Sequence, residues 1–197
     1  MDQRLISWGA KVKARHRGHI PPLWFFTDLS RLPDPRAVVA ALPKGLCGVV
    51  LRHDTAPDRA ALGRDLARLC RQRRNLLVVA GDAGLALQLR AGLHLRGGKL
   101  PGKRAAARGV LITSSAHNQT EVVRAVRAGA GAIFVSPLFA TQSHPGARPL
   151  GVIRWLRLSA HVPAARLALG GIGPAELHRV PLRRVSGLGA IGAFLED

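Results

Sequence analysis

The sequence predicts an α/β fold, a compact closed (β/α)8 TIM barrel, on three observations. From Leu23 onward, short β-rich apolar runs alternate with helical stretches until eight strands are counted. The runs are continuously apolar, as in parallel strands covered on both faces. Glycine-bearing loops follow the last two strands, the place where barrels of this kind often hold phosphate. A doubly wound open sheet is the rival. It needs no eighth strand and usually shows a glycine-rich first turn, whereas Thr27, Asp28 and Leu29 stand there.

Residues 1–22 read as a basic N-terminal arm, with Arg4, Lys11, Lys13, Arg15 and Arg17 and no acid after Asp2. Ile6 and Trp8 could dock it, a poorly ordered terminus is equally compatible, and Pro21-Pro22 ends it. Residues 23–197 form the single barrel domain. Leu23–Thr27 is the first strand and Pro35–Leu42 a short helix. Leu46–Arg52 is the second strand, followed by a long helix with Leu62, Leu66, Leu69 and Cys70 on one face and Thr55 as its cap. Asn75–Ala80 is the third strand, Leu85–Arg90 a brief helix, and Gly92–Leu95 the fourth strand. Arg96–Arg108 reads as a basic, glycine-bearing loop with room for a stub of helix. The fifth strand, Val110–Ile112, ends at Thr113, and Ser114 to His117 form a polar connection. Asn118 and Glu121 suit a capping box for a helix that carries Val122, Val123, Ala125 and Val126 inward and stops at Gly129. Ala132–Val135 is the sixth strand. After a loop come a helix at Val152–Leu158, a seventh strand at Arg166–Leu169, a minimal helix from Pro174 and an eighth strand at Ser186–Ile191.

A chain of 197 residues with 47% hydrophobic content is long enough for one full core. No apolar run approaches a bilayer span and the N-terminus lacks a secretory apolar core, so a cytoplasmic protein is expected. Cys47 and Cys70 fit buried free thiols better than a disulfide. The net charge of +19 would suit nucleic acid, yet the arginines are spread over most predicted helices and tyrosine is absent. No specific nucleic-acid partner is therefore expected, and an attraction for phosphorylated small molecules is.

Three sets of residues fall at predicted C-terminal strand ends, the face that carries the chemistry of such barrels. Gly170, Gly171 and Gly192 would let backbone amides approach a phosphate. His117, with Ser114 and Ser115 beside it, can take and return a proton near neutral pH. The loop Ser136–Arg148, with Ser136, Thr141, Gln142, Ser143 and His144, could close over a ligand. Against each stands a bland alternative: tight turns, an exposed histidine, a long loop. No metal site is expected, because the histidines show no ligand spacing and Asp28, Asp54 and Asp82 form no evident Mg²⁺ pair.

The run from Ser114 to Gly151, with its Ser-x-His, its helix ending in Gly-Ala and its Thr-bearing loop, resembles the thiamine phosphate synthase and TenI superfamily. Ala168–Ile172 is similar to that family's Gly-Gly-Ile phosphate loop, and Ala91–Pro101 to its strand-four segment. The resemblance covers Leu23 to Phe194 and implies thiamine biosynthesis, with a phosphorylated thiazole as ligand and Arg52, Ser115, Ser136, Thr141 and Ser143 near it. Departures stand where the synthase pattern would hold Mg²⁺ and pyrophosphate. Asp54 takes the place of a lysine, Ala80-Gly81-Asp82 of Asn-Asp-Arg, Lys99 of an aspartate and His144 of a lysine. The TenI branch keeps the histidine after strand five, which His117 matches, and moves a proton on the thiazole phosphate without metal. The resemblance therefore implies a TenI-like thiazole phosphate tautomerase that uses His117 and no cofactor. The alternatives are a synthase with Mg²⁺, or with Lys99 in the ion's place, and a non-catalytic paralogue that binds ligand as a regulator. A homo-oligomer is left open.

Overall fold

The computed structural model describes residues 1–16, 18–96, 109–141, 146, 148–160 and 162–195. Its strands are β1 (Leu23–Phe26), β2 (Cys47–Leu51), β3 (Leu76–Ala80), β4 (Gly92–Leu95), β5 (Ile112–Ala116), β6 (Ala132–Val135), β7 (Ala165–Leu169) and β8 (Gly187–Ala190). Each pairs in parallel with the next, and β8 returns to β1, which closes the barrel. Among the described residues, the helices that follow strands on the outside are α2 (Arg36–Ala41), α3 (Arg59–Gln72), α4 (Ala83–Leu89), α5 (Gln119–Arg127) and α6 (Gly151–Ser159). The expected eight-stranded barrel is thus the observed one.

Two apolar clusters hold it. The inner one fills the barrel with Trp24, Phe26, Val50, Val78, Phe134 and Leu167. Its aromatic rings meet edge to face, Trp24 on Phe134 at 5.4 Å and Phe26 on Phe134 at 4.8 Å between centroids. So much bulk on β1 needs small neighbours. A Cβ on Gly48 would drive into the Trp24 ring, and one on Gly189 would lie 2.7 Å from that of Phe26. The outer cluster packs helix faces on the strands, for example Leu62, Leu66 and Cys70 of α3 with Val49 and Leu77.

The N-terminal segment is a helix, α1 (Gln3–Arg15), with Asp2 as its cap. Leu5, Trp8 and Val12 are buried in the outer cluster, Ile6 packs against it, and Gly9 backs onto Leu23 so closely that a Cβ would lie 2.7 Å from that side chain. Its charged residues mask an amphipathic face of period 3.6, which is why it read as an arm.

Other boundaries also move, each for a physical reason. The fifth strand does not stop at Thr113 but runs to Ala116, because Thr113 and Ser114 find partners on β4: the Thr113 hydroxyl lies 2.9 Å from His94 Nδ1, and Ser114 donates to the Leu95 carbonyl. Thr55 caps nothing; α3 starts after Asp58. Asn118 does cap α5, accepting the Glu121 amide at 3.0 Å, but the Glu121 carboxylate reaches past it to the His117 amide at 2.8 Å. The buried stripe of α5 is Val122 and Ala125, with Val126 half-buried and Val123 exposed. No helix starts at Pro174; a single 3-10 turn, Leu177–Arg179, stands there. The expected Arg96–Arg108 loop lies, from Gly97 on, outside the described residues.

Candidate active site

A cavity of about 430 Å³ opens at the C-terminal ends of the strands, where the fold predicts it. Arg31 and Arg52 reach it from the β1 and β2 ends, His117 from β5, and Ser136 and Thr141 from the loop after β6. Gly170 and Gly171 follow β7, and Gly192 follows β8. Of the residues expected from sequence, His117, Arg52, Ser136, Thr141, Gly170, Gly171 and Gly192 are therefore brought together.

Ser115 is not. It shares a face of β5 with Thr113, and its hydroxyl sits 3.1 Å from His94 Nε2 beneath the cavity floor. Lys99, Ser143 and His144, along with Gln142, lie outside the described residues. Phe26, Arg31 and Glu176 also line the cavity and were not expected. Phe26 was legible only as a core residue, and Arg31 and Glu176 sit in turns with no motif around them.

His117 follows the last residue of β5, and its ring is tied to the loop after β6. Nδ1 lies 3.1 Å from the Ser136 carbonyl oxygen and 3.2 Å from the Ser136 hydroxyl. A carbonyl can only accept, so Nδ1 carries the hydrogen in the neutral ring and Nε2 carries the lone pair. The geometry makes Nε2 the basic atom. A proton gained there leaves an imidazolium steadied by the same carbonyl.

The glycine loops have a steric basis. Gly170 and Gly171 take φ of +95° and +63°, and a Cβ on Gly171 would drive into the Ala140 carbonyl and sit 2.8 Å from that of Phe139. After β8 the 3-10 turn Gly192–Phe194 makes its first internal bond from the Phe194 amide to the Ile191 carbonyl, so the Gly192 and Ala193 amides have no acceptor within it. The Glu176 carboxylate accepts the Gly173 amide at 3.0 Å and stands at the same rim.

Beneath the floor His94 is fully enclosed between Phe26 and Phe134. Burial, helped by the Arg52 charge, pushes its pKa down to about 3, so the ring is neutral. Burial also pulls the Arg52 guanidinium below its ordinary value; Asp28 opposes this, and Arg96 and Arg31 add to it.

The carboxylates near the mouth are engaged. Arg59 pairs with Asp54 at 3.0 Å and with Asp82 at 3.6 Å, Arg96 pairs with Asp54, and Asp82 also caps α4 by accepting the Leu85 amide. Among the described residues no three His, Cys, Asp or Glu side chains gather as metal ligands. The segments 97–108 and 142–145 contain no Asp or Glu in sequence. Asp54 and Asp82, carboxylates of the kind that could offer oxygen to Mg²⁺, are paired with arginines here.

The family model described as thiamine monophosphate synthase matches residues 25–194. The chain belongs to the thiamine phosphate synthase and TenI family. It is 33% identical to a thiamine-phosphate synthase of Chloroflexus aurantiacus over 184 residues, covering 88% of this chain and 84% of the relative. It is 32% identical to that of Thermosynechococcus vestitus over 149 residues, which are 73% of this chain but only 42% of the relative. Among solved structures, thiamine phosphate pyrophosphorylase from Pyrococcus furiosus superposes with a TM-score of 0.74 at 27% identity, over 87% of this chain and 85% of that one. The synthase and TenI resemblance read from Ser114–Gly151, Ala91–Pro101 and Ala168–Ile172 is thereby the chain's family, and thiamine biosynthesis its setting. No helix among the described residues is long and apolar enough to cross a membrane.

Proposed function

We propose that the chain is a TenI-like thiazole phosphate tautomerase in which His117 is the acid and base. The observation that carries this is the 3.1 Å contact of His117 Nδ1 with the Ser136 carbonyl, which calls for a hydrogen on Nδ1 and so makes Nε2 the basic atom of a ring that lines the cavity between Arg52 and the glycine loops. The phosphate of the ligand is assigned to the loops at Gly170, Gly171 and Gly192, with Ser136 and Thr141 beside it. Nε2 removes a proton from a ring-bound carbon, the resulting imidazolium is held by Ser136, and the proton is returned at a second carbon. Acid–base catalysis of this kind is worth roughly 10²–10⁴-fold.

A cytoplasmic setting suits this reading. The test is turnover of a thiazole phosphate tautomer, followed by proton NMR in deuterated water. His117→Ala should abolish deuterium incorporation and leave ligand binding within a few-fold. Unchanged incorporation in that variant refutes the assignment.

The similarity to thiamine-phosphate synthases favours a second reading, thiamine phosphate synthase. It requires a pyrimidine pyrophosphate and Mg²⁺, or Lys99 in place of the ion. Formation of thiamine phosphate from the two substrates would establish it. Tight ligand binding without either turnover would point instead to a non-catalytic regulator.

A further inference from the structure

A buried histidine that the proposed chemistry does not use lies beneath the arginine side of the cavity. His53 is fully buried, one residue beyond Arg52. Its Nε2 faces two backbone carbonyls, Leu32 at 3.3 Å and Pro33 at 3.2 Å, and its Nδ1 lies 2.9 Å from the Thr27 hydroxyl. Two carbonyls require a hydrogen on Nε2, so Nδ1 of the neutral ring accepts and Thr27 donates to it. The Thr27 oxygen in turn accepts the Arg52 amide at 2.9 Å. The chain of bonds therefore has one consistent direction, from the Arg52 amide through the Thr27 hydroxyl and the His53 ring to the carbonyls of the loop after β1.

That loop holds Arg31. Its turn is closed by Asp28, whose carboxylate accepts the Ser30 amide and hydroxyl and the Arg31 amide, and whose carbonyl accepts the Leu32 amide. Without His53 the far side of the turn would lose its shared bond from Nε2 to the Leu32 and Pro33 carbonyls. In the strand order β1 and β2 stand across the barrel from β5, so Arg31 and Arg52 form the wall facing His117. Arg52 feels the charges of Arg96 and Arg31, and Asp28 is what offsets them. A cavity wall with this surplus of positive charge suits an anionic group.

We infer that the buried Thr27–His53 pair is a positioning device that fastens the loop after β1 to the end of β2 and so holds Arg31 and Arg52 on the cavity wall, where they take an anionic group of the ligand. The inference rests on the reading that this cavity is the ligand site. It does not rest on which phosphorylated compound is bound.

Inorganic phosphate is the probe, titrated by NMR into wild type, Thr27→Val, Thr27→Ser and Arg31→Ala. Thr27→Val should weaken phosphate about tenfold, whereas Thr27→Ser, which keeps the hydroxyl, should stay within about twofold. In an Arg31→Ala background the Thr27→Val effect should shrink to below about threefold, because part of it passes through Arg31. Backbone amides of residues 30–32 should exchange faster in Thr27→Val. If that variant does not fold, His53→Asn, which gives up the bonds to Leu32 and Pro33, should show the same weakening and coupling. Additive losses, Thr27→Ser no better than Thr27→Val, or a wild type that does not bind phosphate would each overturn the inference. Phosphate binding with this pattern but no binding of a thiazole phosphate would leave the inference standing and sink the proposed function instead.

Discussion

Gly171 and Gly192 both line the cavity, yet their replacement by alanine should have opposite signatures. At Gly171 the φ of +63° and the backbone carbonyls of Phe139 and Ala140 leave no room for a methyl. The left-handed conformation costs an L-residue about 1–2 kcal/mol, and an overpacked contact against backbone that cannot rotate away adds about 1–3 kcal/mol. Gly171→Ala should therefore lose about 2–5 kcal/mol, a large share of the roughly 5–15 kcal/mol that holds a domain together. At Gly192 the φ is not positive and a Cβ would find no atom within 4 Å. Stability should then change by less than about 0.5–1 kcal/mol. A methyl beside the Gly192 and Ala193 amides should still hinder an anion. The loss of one charge-assisted hydrogen bond, about 1.5–3 kcal/mol, corresponds to roughly 10–150-fold weaker phosphate binding. Urea unfolding and phosphate titration of the two variants make the check. A Gly171→Ala protein as stable as wild type would refute the steric argument, and a Gly192→Ala protein with intact phosphate affinity would refute the placement of the anion.

Other expectations follow from titratable groups. Burial pushes the Cys47 and Cys70 thiols up to about 12, so neither should react with an aromatic disulfide at pH 8 until the chain unfolds; prompt labelling of the native protein would contradict their burial. His94 has a folded pKa of about 3 against an ordinary 6.5, so below 6.5 the unfolded chain binds a proton that the native one refuses. Stability should fall with acid between 6.5 and about 3 by up to about 1.4 kcal/mol per pH unit, a slope that His94→Gln should flatten. The Asp28 carboxylate, which burial would raise but the Ser30 hydroxyl and Arg31 amide hold low, adds stability above 3.8 that is lost only below that range, so the upper window reports His94. Ser136→Ala removes the hydroxyl at 3.2 Å but keeps the carbonyl at 3.1 Å, so it should lower any His117-dependent rate by less than about tenfold; a loss as large as that of His117→Ala would show that the hydroxyl, not the carbonyl, sets the ring.

What could be read from the sequence divides along a physical line. Continuous apolar runs mark strands, and Ala132–Val135 and Gly92–Leu95 were placed to the residue because nothing polar interrupts the first and a glycine opens the second. The same rule failed at β5, where Thr113, Ser114 and Ser115 look like a loop to any scale of hydrophobicity. They are strand because His94 and the Leu95 carbonyl, from the neighbouring strand, satisfy their hydroxyls. Strand-end position found His117 and the two glycine loops, since a barrel turns chain order into a ring of loop tips, and the family resemblance added Arg52. It could not find Arg31 or Glu176, which reach the cavity through turns closed by Asp28 and at Gly173. Ser115 shows the cost of a misplaced end most directly. In a loop it could meet a ligand; as the fourth residue of β5 its side chain must point where that of Thr113 points, to His94. Moving the end of that strand from Thr113 to Ala116 leaves His117 as the first residue past it, and this is why the histidine reaches the cavity while the two serines before it stay with the barrel wall.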